Sequence, residues 1–439
     1  MIYLDYQATT PLAPEAAAAM QPWLEERFAN PHSPSRWGRE AAAAVEVARG
    51  RVLEALQSPL PGREGIEAAA TSPGRGCGSP GDFRTASMVG SSEASSGTSG
   101  RSPAAASSDP GADPPLTPPF QGGGAVRGRL YFTSGATEAA NWALKGAAAR
   151  LPANRRRIVT LATEHACVLD TVQWLGTQGF EIDILPVDAE GIVDLGLAAA
   201  RIGPETGLVA AMLVNNEIGV VQPVLEIGAI ARAAGALFFC DAVQGFGRVP
   251  IPLGACDMVA VSAHKVHGPK GIGALWVREG TALDPLLHGG GQEGGLRSGT
   301  LSPALCAGFG EAARLLVERA EEDRAHVDRL WAAALDAMPG WILNGAAGRR
   351  YHGNLNLRRP GIDAARLLSE VRAIAFSAGS ACASGSGRPS HVLAALGLSQ
   401  PEVRASIRLG FGRYTSEENL LHALALIDAA AARQPSFAA

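Results

Sequence analysis

Short apolar runs alternate with alanine-rich helical patterns through the middle of this 439-residue chain, and no other feature restricts its fold as much. The runs that read as buried strands are residues 130–133, 158–162, 182–187, 209–214, 237–240, 258–261 and 272–277. Amphipathic stretches lie between several of them, such as residues 139–150 and 225–234. Buried strands separated by helices predict an α/β fold with a mostly parallel sheet covered by helices.

The C-terminal third predicts a second, smaller α/β domain. Residues 305–336 read as one long helix or two that bridge to it, and short apolar runs at 355–357, 374–377 and 406–410 read as its strands. A further helix is expected at about residues 389–396. We therefore predict a large domain over residues 14–320 and a small domain formed by residues 1–13 and 321–439.

Residues 58–128 differ from the rest of the chain. Roughly a third of this segment is Gly plus Pro, the level expected of low-complexity sequence. Its few large apolar residues follow no period, so it cannot bury enough apolar area to offset its conformational entropy. The segment is predicted to be a disordered insertion in the large domain.

Composition excludes several classes of function. The net charge of −4 gives no basic surface for nucleic acid or an anionic membrane. No apolar stretch reaches the roughly 18 residues that a membrane span needs, and the first residues lack a signal-peptide pattern. The six cysteines are scattered without a CxxC pair, which argues against a disulfide framework or a metal site and favours a cytoplasmic protein.

Five polar residues follow predicted strands at the point where each strand ends: Thr137, His165, Asn216, Asp241 and Lys265. The carboxyl ends of parallel strands meet at one edge of a sheet, where open α/β sheets bind their ligands. Their shared position therefore predicts a functional site.

Lys265, in the motif SAHKVHGPKGIG, follows a buried strand, where a lysine can form a Schiff base with an aldehyde cofactor. Lys270 is the rival lysine but lies further from the strand end. Asp241 is either a helix cap or the carboxylate that keeps the pyridine nitrogen of pyridoxal 5'-phosphate (PLP) protonated. Gln244 lies three residues on, within reach of the phenolic oxygen of such a cofactor.

The turn that ends at Thr137 opens a helix whose free backbone N–H groups suit a phosphate, although a plain strand–helix connection looks the same. His165 is either a structural histidine or a ring that stacks on a cofactor and transfers protons.

Two cysteines compete for the role of nucleophile. Cys382 lies among small residues in a stretch that reads as a loop, and an accessible thiol on a loop suits a nucleophile that must travel. An inert loop cysteine would look the same. Cys167 opens an apolar helical run and reads as a small packing residue.

Motifs along nearly the whole chain, apart from the insertion, resemble those of the cysteine desulfurases, which belong to the class V aminotransferase branch of fold-type I PLP-dependent transferases. They include SAHKVHGPKGIGALWVR, HGGGQEGGLRSGTLSP and SAGSACASGSGRPSHVLAALG. The resemblance implies a PLP enzyme that converts L-cysteine to L-alanine and leaves a persulfide on Cys382. It also implies a homodimer that passes sulfur to an acceptor protein, either a scaffold for iron–sulfur cluster assembly or another sulfur carrier.

The resemblance also implies a role for each matching residue. It makes Cys382, Lys265 and His165 catalytic, and Asn30, Asn216 and Arg408 substrate-binding. The implied cofactor-binding residues are Ala136, Thr137, His165, Asn216, Asp241, Gln244, Ser262, His264, Lys265 and, from the other subunit, Thr300.

The chain departs from the family pattern at Ser35, where a His is usual, at Gly294, where an Arg is common, and at Ala263, where Gly is common. Two alternatives remain open at this point. One is another class V enzyme, such as a selenocysteine lyase or an aminotransferase-like lyase. The other is an inactive PLP-fold regulatory protein, although such a protein would be expected to lack Lys265 or Cys382.

Overall fold

Two main β-sheets with helices packed against them organise the chain. The computed structural model describes residues 1–58, 126–378 and 389–434. Cys382 lies outside these residues, as does the predicted insertion apart from Ser58 and residues 126–128.

The first part of the described chain contains the strands of the large sheet and the helices between them. Its elements are β1 (Ile2–Tyr3), α1 (Pro14–Glu25), α2 (Arg36–Gln57), β2 (Gly128–Thr133), α3 (Ala136–Ala148), β3 (Arg157–Leu161), α4 (Ala166–Thr177), β4 (Glu181–Leu185), α5 (Leu195–Arg201), β5 (Thr206–Met212), α6 (Val224–Ala233), β6 (Leu237–Asp241), β7 (Met258–Ser262) and β8 (Gly273–Arg278). Single 3₁₀ turns occur at Leu253–Ala255, Ala263–Lys265 and Glu293–Gly295.

The remaining elements form the second sheet and its helices. They are α7 (Pro303–Glu318), α8 (Ala320–Asp336), β9 (Ile342–Leu343), β10 (Asn354–Arg358), α9 (Ala364–Glu370), β11 (Ile374–Ala375), β12 (Ser377–Ala378), α10 (His391–Ala395), α11 (Gln400–Arg404), β13 (Ser406–Gly410) and α12 (Glu417–Arg433). The predicted helical stretch at 305–336 is thus two helices, and the predicted strand at 374–377 is split into β11 and β12.

The large sheet has seven strands in the order β2-β8-β7-β6-β5-β3-β4. Strand β8 runs antiparallel to both of its neighbours, and the other described pairings are parallel. All seven strands predicted from the apolar runs are present, and the prediction of a mostly parallel sheet is confirmed.

Both faces of the large sheet are buried, as its apolar strands require. In β6, Leu237 and Phe239 pack into a core that includes residues of α3 and α4. The alternate residues Phe238 and Cys240 pack on the opposite face, in a core that includes residues of α2, α6 and α7. A strand covered in this way has no polar face, which explains its continuous apolar run.

The second sheet is antiparallel, with the order β12-β13-β10-β9. Its core contains residues of α8, α9 and α12. Strand β1 pairs in parallel with β11 and so attaches the first residues of the chain to this part of the molecule. Strands β1 and β9, each two residues long, were not predicted because so short a run carries no readable period.

The parallel strands β3, β5, β6 and β7 end at the same edge of the large sheet, and β2 runs in the same direction as they do. The segments that carry the predicted polar residues therefore emerge side by side. None of the helices within the described ranges is long and apolar enough to cross a membrane.

Candidate active site

A cavity of about 630 Å³ opens at the carboxyl edge of the large sheet. This volume lies within the range of small-molecule and cofactor sites. The predicted residues that line it are Ala136, Thr137, His165, Asn216, Asp241, Gln244, Ser262, His264 and Lys265. The rival residues Cys167 and Lys270 also line it.

The other predicted residues are not part of the cavity lining. Asn30 and Thr300 are exposed. Arg408 is buried, but it does not line the cavity. Cys382 is outside the described residues.

Lys265 ends the 3₁₀ turn that follows β7, and its amine is held by backbone carbonyls from the start of the chain. Its Nζ donates to the carbonyl of Ala8 at 2.8 Å and to the carbonyl of Gln7. Burial, together with the positive charges of Arg248 and Arg408, lowers the pKa of Lys265 from its ordinary value of 10.5 to about 7. A large fraction of this amine is therefore uncharged near neutral pH, as a nucleophile or a base requires.

Asp241 is the last residue of β6 and is buried. Its Oδ1 accepts from the backbone N–H of Val243 at 3.0 Å. Burial raises the pKa of Asp241, while the nearby positive charge of Lys265 and the side chain of His165 oppose that rise. A carboxylate in such a place is stabilised by a ligand that brings a positively charged N–H group.

His165 caps α4, and this fixes its ring. Its Nδ1 accepts from the backbone N–H of Cys167 at 3.1 Å, so the proton of the neutral ring lies on Nε2. The Cys167 thiol is largely buried, and burial raises its pKa well above the ordinary value. A cysteine with a raised pKa is almost wholly protonated at neutral pH and is a poor nucleophile.

The amino end of α3 forms another part of the cavity wall. Its cap residue is Gly135, so no side chain covers the free N–H groups of the first turn, which includes Ala136 and Thr137. These amides and the helix dipole suit a phosphate. Glu138, in the same turn, is engaged by Arg297 at 2.7 Å and by the backbone N–H of Ser134 at 2.8 Å.

Two buried acceptors in the described part of the chain lack hydrogen-bond partners beside this cavity: Oδ1 of Asn216 and Oε1 of Gln7. A buried polar atom left without a partner costs about 1–3 kcal/mol. Both atoms are therefore suited to a ligand that brings hydrogen-bond donors.

Arg408, on β13, reaches the cavity through Asn216. Its guanidinium donates to the backbone carbonyl of Asn216 at 3.1 Å, to Oδ1 of Asp5 at 2.8 Å and to the hydroxyl of Ser377 at 3.0 Å. Its Nε is buried and has no partner within the described ranges. Arg408 thus connects three distant segments of the chain beside the cavity.

Sequence reasoning did not identify Gln7 and Ala8, which hold the Lys265 amine through their backbone carbonyls. Every residue has such a carbonyl, so no residue-type signal existed. It also did not identify Arg248, which donates to the side chain of Gln244. Arg248 lies seven residues after Asp241, and an arginine at that distance gave no sign of a role at the site.

The three departures from the family pattern occupy different surroundings. Ser35 caps α2, accepting from the backbone N–H of Gly38 at 3.1 Å. Ala263 is fully buried in the turn that leads to Lys265. Gly294 is exposed and has a φ of 67°, a conformation that an arginine adopts only with strain.

Comparison with known proteins decides the family. The family model described as aminotransferase class V matches residues 124–422. The cysteine desulfurase IscS of Rickettsia bellii is 38% identical over 435 residues, which are 97% of this chain and 90% of that relative. The chain belongs to the cysteine desulfurase family.

Solved structures agree with this membership. A NifS-like protein has a TM-score of 0.77 and 27% identity, with 98% of each chain covered. The structure of SspA in complex with cysteine has a TM-score of 0.70 and 29% identity, covering 95% of this chain and all of that one. The predicted family and fold are confirmed, and the alternatives considered from the sequence are not favoured.

Enzymes of this family depend on PLP, which confirms the predicted cofactor. The cavity fits it. An amine of lowered pKa, a buried carboxylate and a helix amino end are present for its aldehyde, ring nitrogen and phosphate. The matching residues are Lys265, Asp241 and the first turn of α3.

Proposed function

We propose that this enzyme converts L-cysteine to L-alanine in the cavity at the sheet edge and transfers the sulfur to Cys382 as a persulfide. The observation that carries the proposal is the Lys265 amine, with its pKa lowered to about 7, in the same cavity as the buried Asp241. The related SspA was solved in complex with cysteine, which supports the same substrate here.

Lys265 would hold the cofactor aldehyde, Asp241 the ring nitrogen, Gln244 the phenolic oxygen, and Ala136, Thr137, Ser262 and His264 the phosphate. When bound, PLP supplies an electron sink for the carbon that loses its proton. Because the free Lys265 amine is largely uncharged above pH 7, it is suited to take the α-proton of the substrate.

Substrate binding would fall to Asn216, Arg408 and Asn30. The unpartnered Oδ1 of Asn216 is suited to accept from the substrate amino group. Arg408 has an unpartnered buried Nε and is suited to a carboxylate, provided that the substrate competes with Asp5 for the guanidinium. Asn30 lies in an exposed segment, and its predicted contact with the substrate carboxylate remains a proposal.

Cys382 is the better nucleophile of the two cysteines because the Cys167 thiol is held protonated by burial. The described residues on either side of the Cys382 segment also support this role. Ser377, before it, bonds to Arg408 at 3.0 Å. His391, after it, bonds to the carbonyl of Glu164 at 2.9 Å, next to His165. The described residues that flank the segment thus lie near residues of the site.

The sulfur balance of the step is simple. The Cys382 thiolate attacks the substrate sulfur, the bond between that sulfur and the substrate β-carbon breaks, and the carbon fragment gains protons to become alanine. His165, whose ring is fixed by its bond to the Cys167 amide, would stack on the cofactor and transfer protons. The persulfide then passes to an acceptor protein, a scaffold for iron–sulfur cluster assembly or another carrier.

Assembly and location belong to the same proposal. We place Thr300 at the cofactor phosphate of the partner subunit in a homodimer, and its absence from the cavity of its own subunit is compatible with that role. We also propose a cytoplasmic enzyme, with a large domain over residues 14–320 and a small domain over residues 1–13 and 321–439.

The test compares two serine variants. Cys382→Ser should bind PLP with the wild-type visible spectrum and bind cysteine, yet release no alanine above background. Cys167→Ser should stay within about threefold of wild-type activity, because an inert packing thiol is replaced by a group of similar size. Mass spectrometry should locate the persulfide on Cys382. A persulfide on Cys167, or normal turnover by Cys382→Ser, would contradict the assignment.

A further inference from the structure

Arg248 is a partly buried arginine just outside the cavity, and it joins two residues of the proposed cofactor site. Its Nη1 donates to the side-chain Oε1 of Gln244 at 2.6 Å and to the Gln244 carbonyl at 3.3 Å. Its Nη2 donates to the backbone carbonyl of Lys265 at 2.5 Å. The guanidinium carbon lies 5.0 Å from the centre of the Tyr351 ring.

Neutral acceptors satisfy this cation. Among the described residues, no carboxylate forms an ion pair with Arg248. A desolvated charge held only by carbonyl and amide oxygens costs more than an ion pair or an apolar side chain of similar volume would. The cost of desolvating the Arg248 charge therefore suggests that this residue has a role in the site.

The first consequence concerns the side-chain amide of Gln244. The two ends of an amide have nearly the same shape, so shape alone does not decide which one faces the cavity. A guanidinium only donates, and the end that faces Arg248 must therefore be Oε1. Nε2 is left on the other side, where it donates to the carbonyl of Gln7 at 3.0 Å.

This orientation matters for the cofactor. Gln244 lines the cavity, and its proposed partner is the phenolic oxygen of PLP, which carries negative charge and needs a donor. Nε2 is a donor and Oε1 is not. Arg248 and the Gln7 carbonyl together fix the Gln244 amide with its donor end toward the cavity.

The second consequence concerns Lys265. The bond from Nη2 holds the carbonyl of this residue at the end of a 3₁₀ turn. The charged groups that act on the Lys265 amine are Arg248 and Arg408, which favour its neutral form, and Asp5 and Asp241, which favour its charged form. Arg248 is the only one of the four that also bonds to the Lys265 backbone in the described chain.

We propose that Arg248 is a positioning residue that orients the Gln244 amide toward the cofactor and acts on Lys265 through its bond to that residue's backbone carbonyl and through its charge. This inference rests on the proposed function for the roles of Gln244 and Lys265. It adds a residue that does not itself line the cavity.

Two variants separate the two actions of Arg248. Arg248→Lys keeps the positive charge but not the fork that reaches two acceptors, and Arg248→Met removes the charge while keeping an unbranched stem. Arg156→Met, at a half-buried arginine away from the cavity that donates to backbone carbonyls and packs on Phe180, is the matched control. Thermal unfolding of each apoprotein shows whether it folds.

The first readout needs no cofactor. The pH dependence of acetylation of the Lys265 amine is measured in the apoprotein by peptide mass spectrometry. Arg248→Met should raise the midpoint by about one pH unit because a nearby cation is lost. Arg248→Lys and Arg156→Met should leave it close to the wild-type value. An unchanged midpoint in folded Arg248→Met would overturn the action on Lys265.

The second readout is the holoenzyme. Arg248→Lys should weaken PLP binding by about tenfold and change the pH midpoint of its visible absorption, because the Gln244 amide loses its bond to Nη1 and keeps only the Gln7 carbonyl as a partner. Gln244→Ala should have a similar effect, and the effect of the double variant should be clearly smaller than the product of the two single effects.

Full additivity of these two changes would mean that Arg248 does not act through Gln244, and the proposal would fail on that point. If Arg248→Met does not fold, Arg248→Lys and the double variant still decide this action. If the variants show both effects but the wild-type protein does not release alanine from cysteine, the proposed function is refuted instead.

Discussion

Replacing Lys265 by methionine is expected to change how the stability of the apoprotein depends on pH. In the folded chain, burial and the charges of Arg248 and Arg408 lower the pKa of Lys265 from 10.5 to about 7. In the unfolded chain this lysine titrates at its ordinary value. Between pH 7 and pH 10.5 the unfolded state therefore binds more protons than the folded state, and the free energy of unfolding rises with pH.

The size of the change in the free energy of unfolding follows from the difference between the folded and the unfolded pKa of Lys265. At about 1.4 kcal/mol per pH unit, the full shift corresponds to roughly 5 kcal/mol. The amine faces a cavity that admits water in the apoprotein, which screens part of the penalty, so we expect about half of this value, ~2 kcal/mol. Below pH 7 the wild type carries a charged amine in both states, and the pH-linked contribution of Lys265 no longer changes.

The assay is urea unfolding of wild-type and Lys265→Met apoprotein from pH 6 to pH 10. Groups that do not interact with Lys265 titrate alike in both proteins and cancel in the difference. His264 does not interfere because burial, reinforced by the positive charges of Lys265 and Lys270, lowers its pKa to about 4. Wild type should gain about 2 kcal/mol over the variant as the pH rises from 7 to 10.

Lys270→Met is the control, since this lysine lines the same cavity but is exposed. It should follow the wild-type pH dependence. A constant difference between wild type and Lys265→Met across the whole range would refute the argument that Lys265 is held in a desolvating site.

Three further outcomes test the site and the chain organisation. Asp241→Asn should still bind PLP, but its alanine production from free cysteine should fall by about a hundredfold or more, because an amide does not keep the ring nitrogen protonated. Near-normal turnover would contradict the assignment of Asp241. If Thr300 serves the partner's cofactor, Thr300→Ala and Lys265→Ala subunits, each of low activity alone, should regain activity when refolded together; no gain would indicate that Thr300 acts elsewhere or that the enzyme is not a dimer. Replacing residues 59–125 by a short linker should preserve both PLP binding and alanine production, on the sequence argument that this segment cannot form a core; a soluble chain that lost both would show otherwise.

The large sheet could be predicted because its signal is local. A run such as residues 209–214 is apolar throughout, and only burial on both faces explains such a run. Once the strands were located, their shared direction predicted that His165, Asp241 and Lys265 would lie at one edge. The cavity contains all three.

The surroundings of Arg408 could not be predicted in this way. Its partners Asp5, Ser377 and Asn216 come from three segments far apart in the sequence, and their meeting depends on how β13 packs beside the first residues of the chain. Gly410 illustrates the same limit. A β-carbon there would lie 2.7 Å from the backbone nitrogen of Tyr6 and 1.7 Å from Oε1 of Gln7, so the position requires glycine for a reason that only the packed chain reveals.

The placement of Gln7 has a consequence for the order of events during synthesis. This residue accepts from the Lys265 amine, donates to the carbonyl of Gly353, and lies against Gly410. Gln7 leaves the ribosome well before Lys265, Gly353 and Gly410, and the last of these partners is made only near the end of the sequence. Contacts between such distant segments form late because they must overcome a large loop-closure entropy. The pocket is therefore completed after translation, and the nascent chain has no finished site to load with cofactor.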